Sequence, residues 1–266
     1  MIIDPVLLLR AYAIGVFPMS DDRDADEIYW VEPKQRAILP LDGFRLARSL
    51  ARTVRRERFV VTIDRDFRGV VDKCAESAPD RPSTWINHPI EAAYIDLHER
   101  GFAHSVECWE QGELVGGLYG VALGRAFFGE SMFSRRTDAS KVALAWLVAR
   151  MKAGGFTLLD CQFMTDHLRS LGAVEIAQRD YLVLLGRAVE GVPLGAGRGV
   201  LAAGAARVGA TGGGASVSSP GVASGSPSGD EVVFAPGFPS PDFPPSLTVS
   251  GPVSGQTIVQ LLTQTS

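Results

Sequence analysis

Cysteine and histidine are scarce in this chain. Three cysteines (Cys74, Cys108, Cys161) and four histidines (His88, His98, His104, His167) are spread over 266 residues. An odd number of thiols with no CxxC spacing excludes a disulfide framework and a four-cysteine zinc site. The histidines form no HExxH or comparable ligand pair, so neither a metal nor a cofactor is expected. Long apolar runs are absent as well: no stretch reaches the roughly 18 residues of a membrane helix. The one apolar cluster near the start, Val6 to Leu9, follows Asp4 and runs into Arg10, which makes a poor signal peptide. A surplus of positive charge is also missing, with 26 basic residues against 30 acidic ones and a net charge of −4. General polyanion binders need such a surplus and are excluded, although a locally basic face is not. These absences lead us to expect a soluble, cytoplasmic protein that makes no membrane contact.

What is present is a core and an extension. Hydrophobic residues make up 46% and charged residues 21%, enough to bury a globular core. The composition breaks near residue 190. Residues 191–266 hold 15 of the 29 glycines and 9 of the 16 prolines but only five charges, Arg198, Arg207, Asp230, Glu231 and Asp242. Such a segment buries too little apolar surface to offset its chain entropy. We therefore expect a disordered tail that folding and activity can do without. The competing reading is a docked tail, because Leu247 to Leu262 regains apolar and β-branched residues.

Within residues 1–190 the hydrophobic period changes along the chain. Pro5 to Gly15 reads as a short helix stopped by glycine. Leu46, Leu50 and Val54 form a helical stripe in Leu41 to Arg58, and Ile90, Tyr94 and Leu97 form another that ends at Gly101. Phe59 to Ile63, Ala103 to Trp109, Leu114 to Val121, Arg125 to Phe128, Phe156 to Gln162 and Tyr181 to Leu185 read as strands, with hairpin turns at Gln111-Gly112 and Leu123-Gly124. Ala139 to Ala153 is the strongest helix, with Asp138 placed to cap it and Gly154-Gly155 to close it. Antiparallel strands, a helix and a further strand make a mixed sheet covered by helices, an α+β fold.

Several places have the residues for chemistry. Val115-Gly116-Gly117-Leu118-Tyr119-Gly120 puts three glycines inside a strand pattern, which marks a bulge or the close approach of backbone or ligand. Gly129 to Ser134 follows the apolar Ala126-Phe127-Phe128 and puts Glu130, two serines and Met132 at a strand end, where sites accumulate. Asp160 and Gln162 share one face at the end of another strand, and Cys161 points the other way. That carboxylate–amide pair is either structural or a proton-accepting, amine-positioning pair. A Cys161/His167 dyad is a third reading, disfavoured because Cys161 faces away from Asp160. Arg45, Arg48, Arg52, Arg55, Arg56 and Arg58 face only Asp42 and Glu57, a local anion-binding surface or a solvated helix face.

Ordered strings then carry a resemblance. Ala11 to Pro18, Ser83-Thr84-Trp85-Ile86, His104 to Trp109, Leu114 to Gly120, Phe128 to Ser134, Ala139-Ser140-Lys141, Asp160-Cys161-Gln162 and Ser170 to Ala173 together resemble the leucyl/phenylalanyl-tRNA–protein transferases over roughly residues 5–190. The resemblance implies a reduced N-terminal domain (1–40), an acetyltransferase-like (GNAT) aminoacyltransferase domain (41–190) and the 191–266 tail. It implies transfer of Leu, Phe or Met from an aminoacyl-tRNA to the N-terminal Lys or Arg of an acceptor protein, which marks that protein for N-degron proteolysis. A monomer is expected. The resemblance assigns Gln162 to the attacking amine, Asp160 to orienting Gln162, and Glu130 to the donor site. It lines the donor pocket with Leu118, Phe127, Met132, Leu144, Leu147 and Leu159, and sets Tyr12 and Trp85 against the 3′-adenosine. We expect Arg48, Arg52 and Arg55 to hold tRNA phosphates. The family commonly has Trp after Phe-Pro, and here the residue is Met19. Two rivals are an acyl-coenzyme A acetyltransferase and a non-catalytic tRNA- or peptide-binding module. The first usually carries an Arg/Gln-x-x-Gly-x-Gly/Ala loop, which Val174 breaks in Arg169-Ser170-Leu171-Gly172-Ala173-Val174.

Overall fold

The computed structural model describes residues 2–77, 83–192 and 253–264. Helix α1 (Pro5–Ala13) starts where the Asp4 carboxylate accepts the Leu7 N–H at 2.9 Å, with proline at its first turn. A two-stranded sheet follows, β1 (Phe17–Met19) against β2 (Tyr29–Val31). Next come β3 (Gln35–Ile38), a 3-10 turn (Leu41–Gly43), α2 (Arg48–Arg55), β4 (Val60–Ile63), α3 (Phe67–Ala75) and α4 (His88–Glu99). The centre of the chain is β5 (Ala103–Glu110), β6 (Glu113–Leu123), β7 (Ala126–Ser134), α5 (Ala139–Ala153) and β8 (Leu158–Gln162). It closes with α6 (Asp166–Ser170), β9 (Val174–Ala177), α7 (Gln178–Ala188) and α8 (Gly255–Thr263).

The main sheet runs β4-β5-β6-β7-β8-β3-β9. Every neighbouring pair is antiparallel except β7 and β8, which α5 links as a parallel crossover. The fold is thus mixed, a small N-terminal unit followed by a seven-stranded sheet with helices on both faces. On one face α2, α5 and α8 share a core with Leu118, Phe127 and Leu159. On the other, Phe67 of α3 and Tyr94 of α4 pack edge-on against Tyr119, and Tyr12 of α1 lies 4.8 Å from Phe128. Glycine makes the first face possible. A Cβ at Gly116 would stand 2.4 Å from the Ala139 Cβ, so α5 sits directly on the β6 backbone. The close approach signalled by the glycine run is therefore that of a helix.

Several expectations are corrected. Tyr181 to Leu185 is helical, within α7. Tyr181, Leu185 and Ala188 are buried at helical spacing, and Leu182, Val183 and Leu184 face outward. The apolar run hid that stripe. The helix within Leu41 to Arg58 is confined to Arg48–Arg55. Strand β7 extends to Ser134, so Glu130 lies inside a strand and not at its end. Asp138 occupies the cap position of α5 with φ +69°, but its side chain makes no capping bond. Strand β3 is already part of the main sheet, so the chain enters that sheet before residue 41.

The tail expectation fails over residues 253–264, where the competing docked reading holds. In α8, Ser254 Oγ accepts the Thr257 N–H, and Ile258 and Val259 are buried in the core formed with α2 and α5. Two such side chains contribute about 1.5–3 kcal/mol each, so the segment adds to the stability of the core. Residues 193–252, which make up most of that tail, lie outside the described residues.

Candidate active site

Strands β7 and β8 pair only from Ala126↔Leu158 to Phe128↔Asp160. Two residues further along each strand, at the same register offset, stand Glu130 and Gln162. There the main-chain ladder has ended, and the Gln162 Nε2 donates to Glu130 Oε2 at 2.9 Å across the gap. A cavity of about 270 Å³ opens at this parting. Its lining comes from both faces of the sheet. Leu118, Met132, Leu144, Leu147 and Leu159 form an apolar side, and Tyr119, Glu130 and Gln162 form a polar one. Trp85 stands at the cavity as well, placed next to β1 by the Ser20 N–H and Oγ, which both donate to the Trp85 carbonyl. Met19 is not among the lining residues; the aromatic rings at the cavity are those of Trp85, Tyr119 and Phe163.

The position of Gln162 is set from behind. Its backbone is left-handed (φ +60°), a conformation that costs a non-glycine residue roughly 1 kcal/mol or more. Asp160 Oδ1 accepts the Gln162 N–H at 2.8 Å and secures that turn. Asp160 therefore orients Gln162 through the main chain and not through the amide. The carboxylate itself is fully buried. The Arg36 guanidinium donates to it from Nε at 2.9 Å and from Nη2 at 2.6 Å, and the Tyr181 hydroxyl donates at 2.7 Å. Arg36 also donates to the Gly15 carbonyl and is sandwiched between the rings of Phe17 and Tyr181. Burial works to lower the Arg36 pKa, but Asp160 outweighs it and the net shift is upward. Burial, then the nearby Asp160 charge, push the Tyr181 hydroxyl far above its ordinary range.

Glu130 is held in a ring of oxygens. Its Oε1 lies 2.6 Å from the Tyr12 hydroxyl, its Oε2 lies 2.8 Å from the Tyr94 hydroxyl, and the two hydroxyls are 2.6 Å apart. Two phenolic protons cannot serve three oxygen–oxygen contacts. In its protonated form Glu130 supplies the third: it then donates to one tyrosine, which donates to the other, which donates back to the second carboxyl oxygen. The Glu130 proton is then used within the ring, so Gln162 must present its NH2 to Glu130 and is left with Oε1 as its free acceptor. The electrostatics agree. Burial raises the Glu130 pKa to about 7 against the lowering effect of its hydrogen bonds, and Asp160 adds to the rise.

The structure treats the other site expectations differently. Leu118, Met132, Leu144, Leu147, Leu159 and Trp85 line the cavity together with Glu130 and Gln162. Phe127 does not, because it is fully buried in the core beneath β7. Tyr12 offers no face for stacking a base; it is fully buried and its hydroxyl serves Glu130. Asp160 lies behind the cavity wall. Cys161 and His167 both line the cavity, but burial and then Asp160 drive the Cys161 thiol pKa far upward, which removes the thiolate a dyad needs. Arg48, Arg52 and Arg55 lie apart, exposed on α2. The string Arg169 to Val174 does not form a phosphate loop. A Cβ at Gly172 would stand 2.2 Å from the Gly43 carbonyl oxygen, so this glycine serves close backbone packing. Arg36, Tyr94 and Tyr181 were missed. Each is a single residue with no motif around it, and only the fold shows what it holds. Among the described residues, no group of three or more His, Cys, Asp or Glu side chains is placed to hold a metal.

The geometry is that of an apolar cleft with one fixed amide acceptor, Gln162, at its polar side. The family model described as "Leucyl/phenylalanyl-tRNA protein transferase" matches residues 38–186, and its "N-terminal domain" counterpart matches residues 1–34. The leucyl/phenylalanyl-tRNA–protein transferase of Rhizorhabdus wittichii is 61% identical over 273 residues, covering 99% of this chain and 99% of its own. That of Novosphingobium aromaticivorans is 52% identical over 270 residues, covering 99% of this chain and 97% of its own. That of Zymomonas mobilis is 67% identical over 187 residues, 70% of each chain. This chain belongs to the leucyl/phenylalanyl-tRNA–protein transferase family. Its resemblance to the first two relatives extends through the C-terminal segment that the family model leaves out.

Proposed function

We propose that the chain transfers Leu, Phe or Met from an aminoacyl-tRNA to the N-terminal Lys or Arg of acceptor proteins, and that the cavity between β7 and β8 is where transfer occurs. The observation that carries this reading is the Gln162–Glu130 pair, fixed at the rim of an apolar cleft where two parallel strands part. The aminoacyl side chain enters the side formed by Leu118, Met132, Leu144, Leu147 and Leu159. Met and Leu are adaptable linings that accept unbranched apolar groups. The ester carbonyl then lies near the polar side, and Trp85 flanks the terminal adenosine.

The reaction is aminolysis of an ester. The acceptor α-amine has an ordinary pKa of about 7.7–8.0, so a usable fraction is neutral near pH 7. Gln162 Oε1 accepts one N–H of that amine and aims its lone pair at the ester carbon. As the C–N bond forms, the ester C–O bond breaks, the tRNA 3′-oxygen leaves and the nitrogen gives up one proton. A neutral amide is too weak a base to keep that proton. Gln162 is therefore a positioner, and the ribose 2′-hydroxyl beside the leaving oxygen is the group placed to pass the proton on. Arg48, Arg52 and Arg55 contribute contacts to tRNA phosphates, which add affinity without selecting the amino acid.

Incubating the protein with phenylalanyl-tRNA and a peptide carrying N-terminal Arg tests the reading. Peptide that gains one phenylalanine supports it. Acetyl transfer from acetyl-coenzyme A in its place, or binding of both substrates without any transfer, would overturn it.

A further inference from the structure

The arginines of α2 do not face open solvent alone. Arg48, Arg52, Arg55 and Arg56 form one side of a groove of about 590 Å³, whose opposite side is Val259 and Thr263 of α8. Leu46 and Ala51 complete the lining. Among the described residues, none of these four arginines has a carboxylate within salt-bridge distance, in a protein whose net charge is −4. Helix α8, Gly-Gln-Thr-Ile-Val-Gln-Leu-Leu-Thr, carries no charged side chain and so leaves that positive field intact.

The joint between the two helices is built for close contact. A Cβ at Gly255 would come within 2.0 Å of the Val54 carbonyl oxygen, so only glycine allows α8 to start where it does. The Gly255 N–H donates to Glu57 Oε1 at 2.8 Å, which also draws that carboxylate toward the helix start. Ile258 and Val259 are buried in the core that holds Leu50, Ala51 and Val54 of α2. At the far end Lys152 donates to the Gln264 carbonyl. The arginine row is thereby backed by a packed seam and bounded by an uncharged ledge.

We infer that α8 is the second wall of a groove that seats the phosphate backbone of the tRNA donor, so that the C-terminal segment belongs to the substrate-binding surface. A groove with four guanidiniums that have no carboxylate partner among the described residues on one side, and a neutral wall on the other, matches a polyanionic strand in charge and leaves a channel for it to run along. The inference rests on the transferase reading above, because that reading makes tRNA the polyanion. It differs from it in giving the extension a direct part in binding.

Charge placed on the ledge tests the inference in the full chain. Thr263 is exposed and its hydroxyl bonds only within its own helix, to the Val259 and Gln260 carbonyls, so substitutions there spare the fold. Binding of phenylalanyl-tRNA by Thr263→Lys and Thr263→Glu is measured by fluorescence anisotropy at about 50 mM salt and again at about 500 mM. At low salt the lysine variant binds at least about threefold more tightly than wild type and the glutamate variant at least about threefold more weakly, and the difference collapses at high salt as the screening length shortens. Transfer from phenylalanyl-adenosine, a donor without the tRNA body, is the same for all three proteins. Equal tRNA affinity for wild type and both variants at low salt overturns the inference. If wild type transfers from neither donor, it is the transferase reading that fails, and the anisotropy data still report on the groove.

Discussion

Glu130→Gln separates a carboxylic acid from a carboxylate at the heart of the site. The Glu130 side chain is buried, and its pKa is raised from the ordinary 4.5 to about 7, chiefly by burial. A raised pKa means that the folded protein keeps a proton the unfolded chain has already released between those two values. The contribution of Glu130 to folding is therefore fully present below about pH 4.5 and is lost as pH rises to about 7. At about 1.4 kcal/mol per pH unit, the loss across this window is on the order of 3 kcal/mol. Glutamine cannot ionise. It can accept from one tyrosine and donate to the other, provided the Gln162 amide turns over to accept in its turn. Urea unfolding of wild type and Glu130→Gln at half-unit steps from pH 4.5 to 8.5 gives two stability curves. Their difference cancels every other titration. It should fall by about 3 kcal/mol to the disadvantage of wild type between pH 4.5 and 7 and stay level above that. A difference that is flat from pH 5 to 8 would show that Glu130 is already ionised in the folded protein, and the argument from three oxygen contacts and two phenolic protons would be wrong.

Gln162→Ala should slow single-turnover transfer at saturating substrate by at least about tenfold, equivalent to 1.4 kcal/mol, with aminoacyl-tRNA affinity unchanged; a wild-type rate removes Gln162 from the reaction. Asp160→Asn leaves the Arg36 guanidinium buried with its charge uncompensated, so urea unfolding should show a loss of about 3–5 kcal/mol, and an unshifted midpoint would show that the pair does not hold the sheet. Replacing Arg48, Arg52 and Arg55 together with Gln should weaken tRNA binding and flatten its salt dependence by roughly 0.7–0.9 for each phosphate that is no longer neutralised, without altering the preference between Leu and Phe donors; unchanged affinity and slope would return α2 to ordinary surface.

Much of the fold was legible because it is written in local periodicity. The closing Gly154-Gly155 ended α5 at the expected residue, and Gln111-Gly112, both at positive φ, marked the β5–β6 turn. Elements that failed were those in which burial and local pattern disagree. Helix α7 presents a continuous apolar run although three of its leucines and valines face outward. Residues 253–264 were masked by the glycine- and proline-rich composition of the segment that leads to them. Of the site, Glu130, Gln162 and the leucine lining could be placed by motif and resemblance. The arrangement behind them could not. Whether Tyr12 stacks on a ligand or holds a carboxyl depends on what α4 and β7 bring against its hydroxyl, and both lie more than 80 positions away in the chain.

On the proposed function, the parting of β7 and β8 puts recognition and reactivity on opposite faces of one sheet. The apolar lining proposed to meet the donor's side chain, Leu118 and Leu159 among it, lies on the α5 face. The groups proposed to handle the amine, Gln162 and the residues that hold it, bond to Tyr12 of α1, Tyr94 of α4 and Tyr181 of α7. A substitution at Leu144 or Leu147 can therefore reshape the space offered to a side chain without passing through the groups that hold Gln162. The preference of such an enzyme can drift in evolution, residue by residue along one helix, while the geometry of bond formation is inherited unchanged.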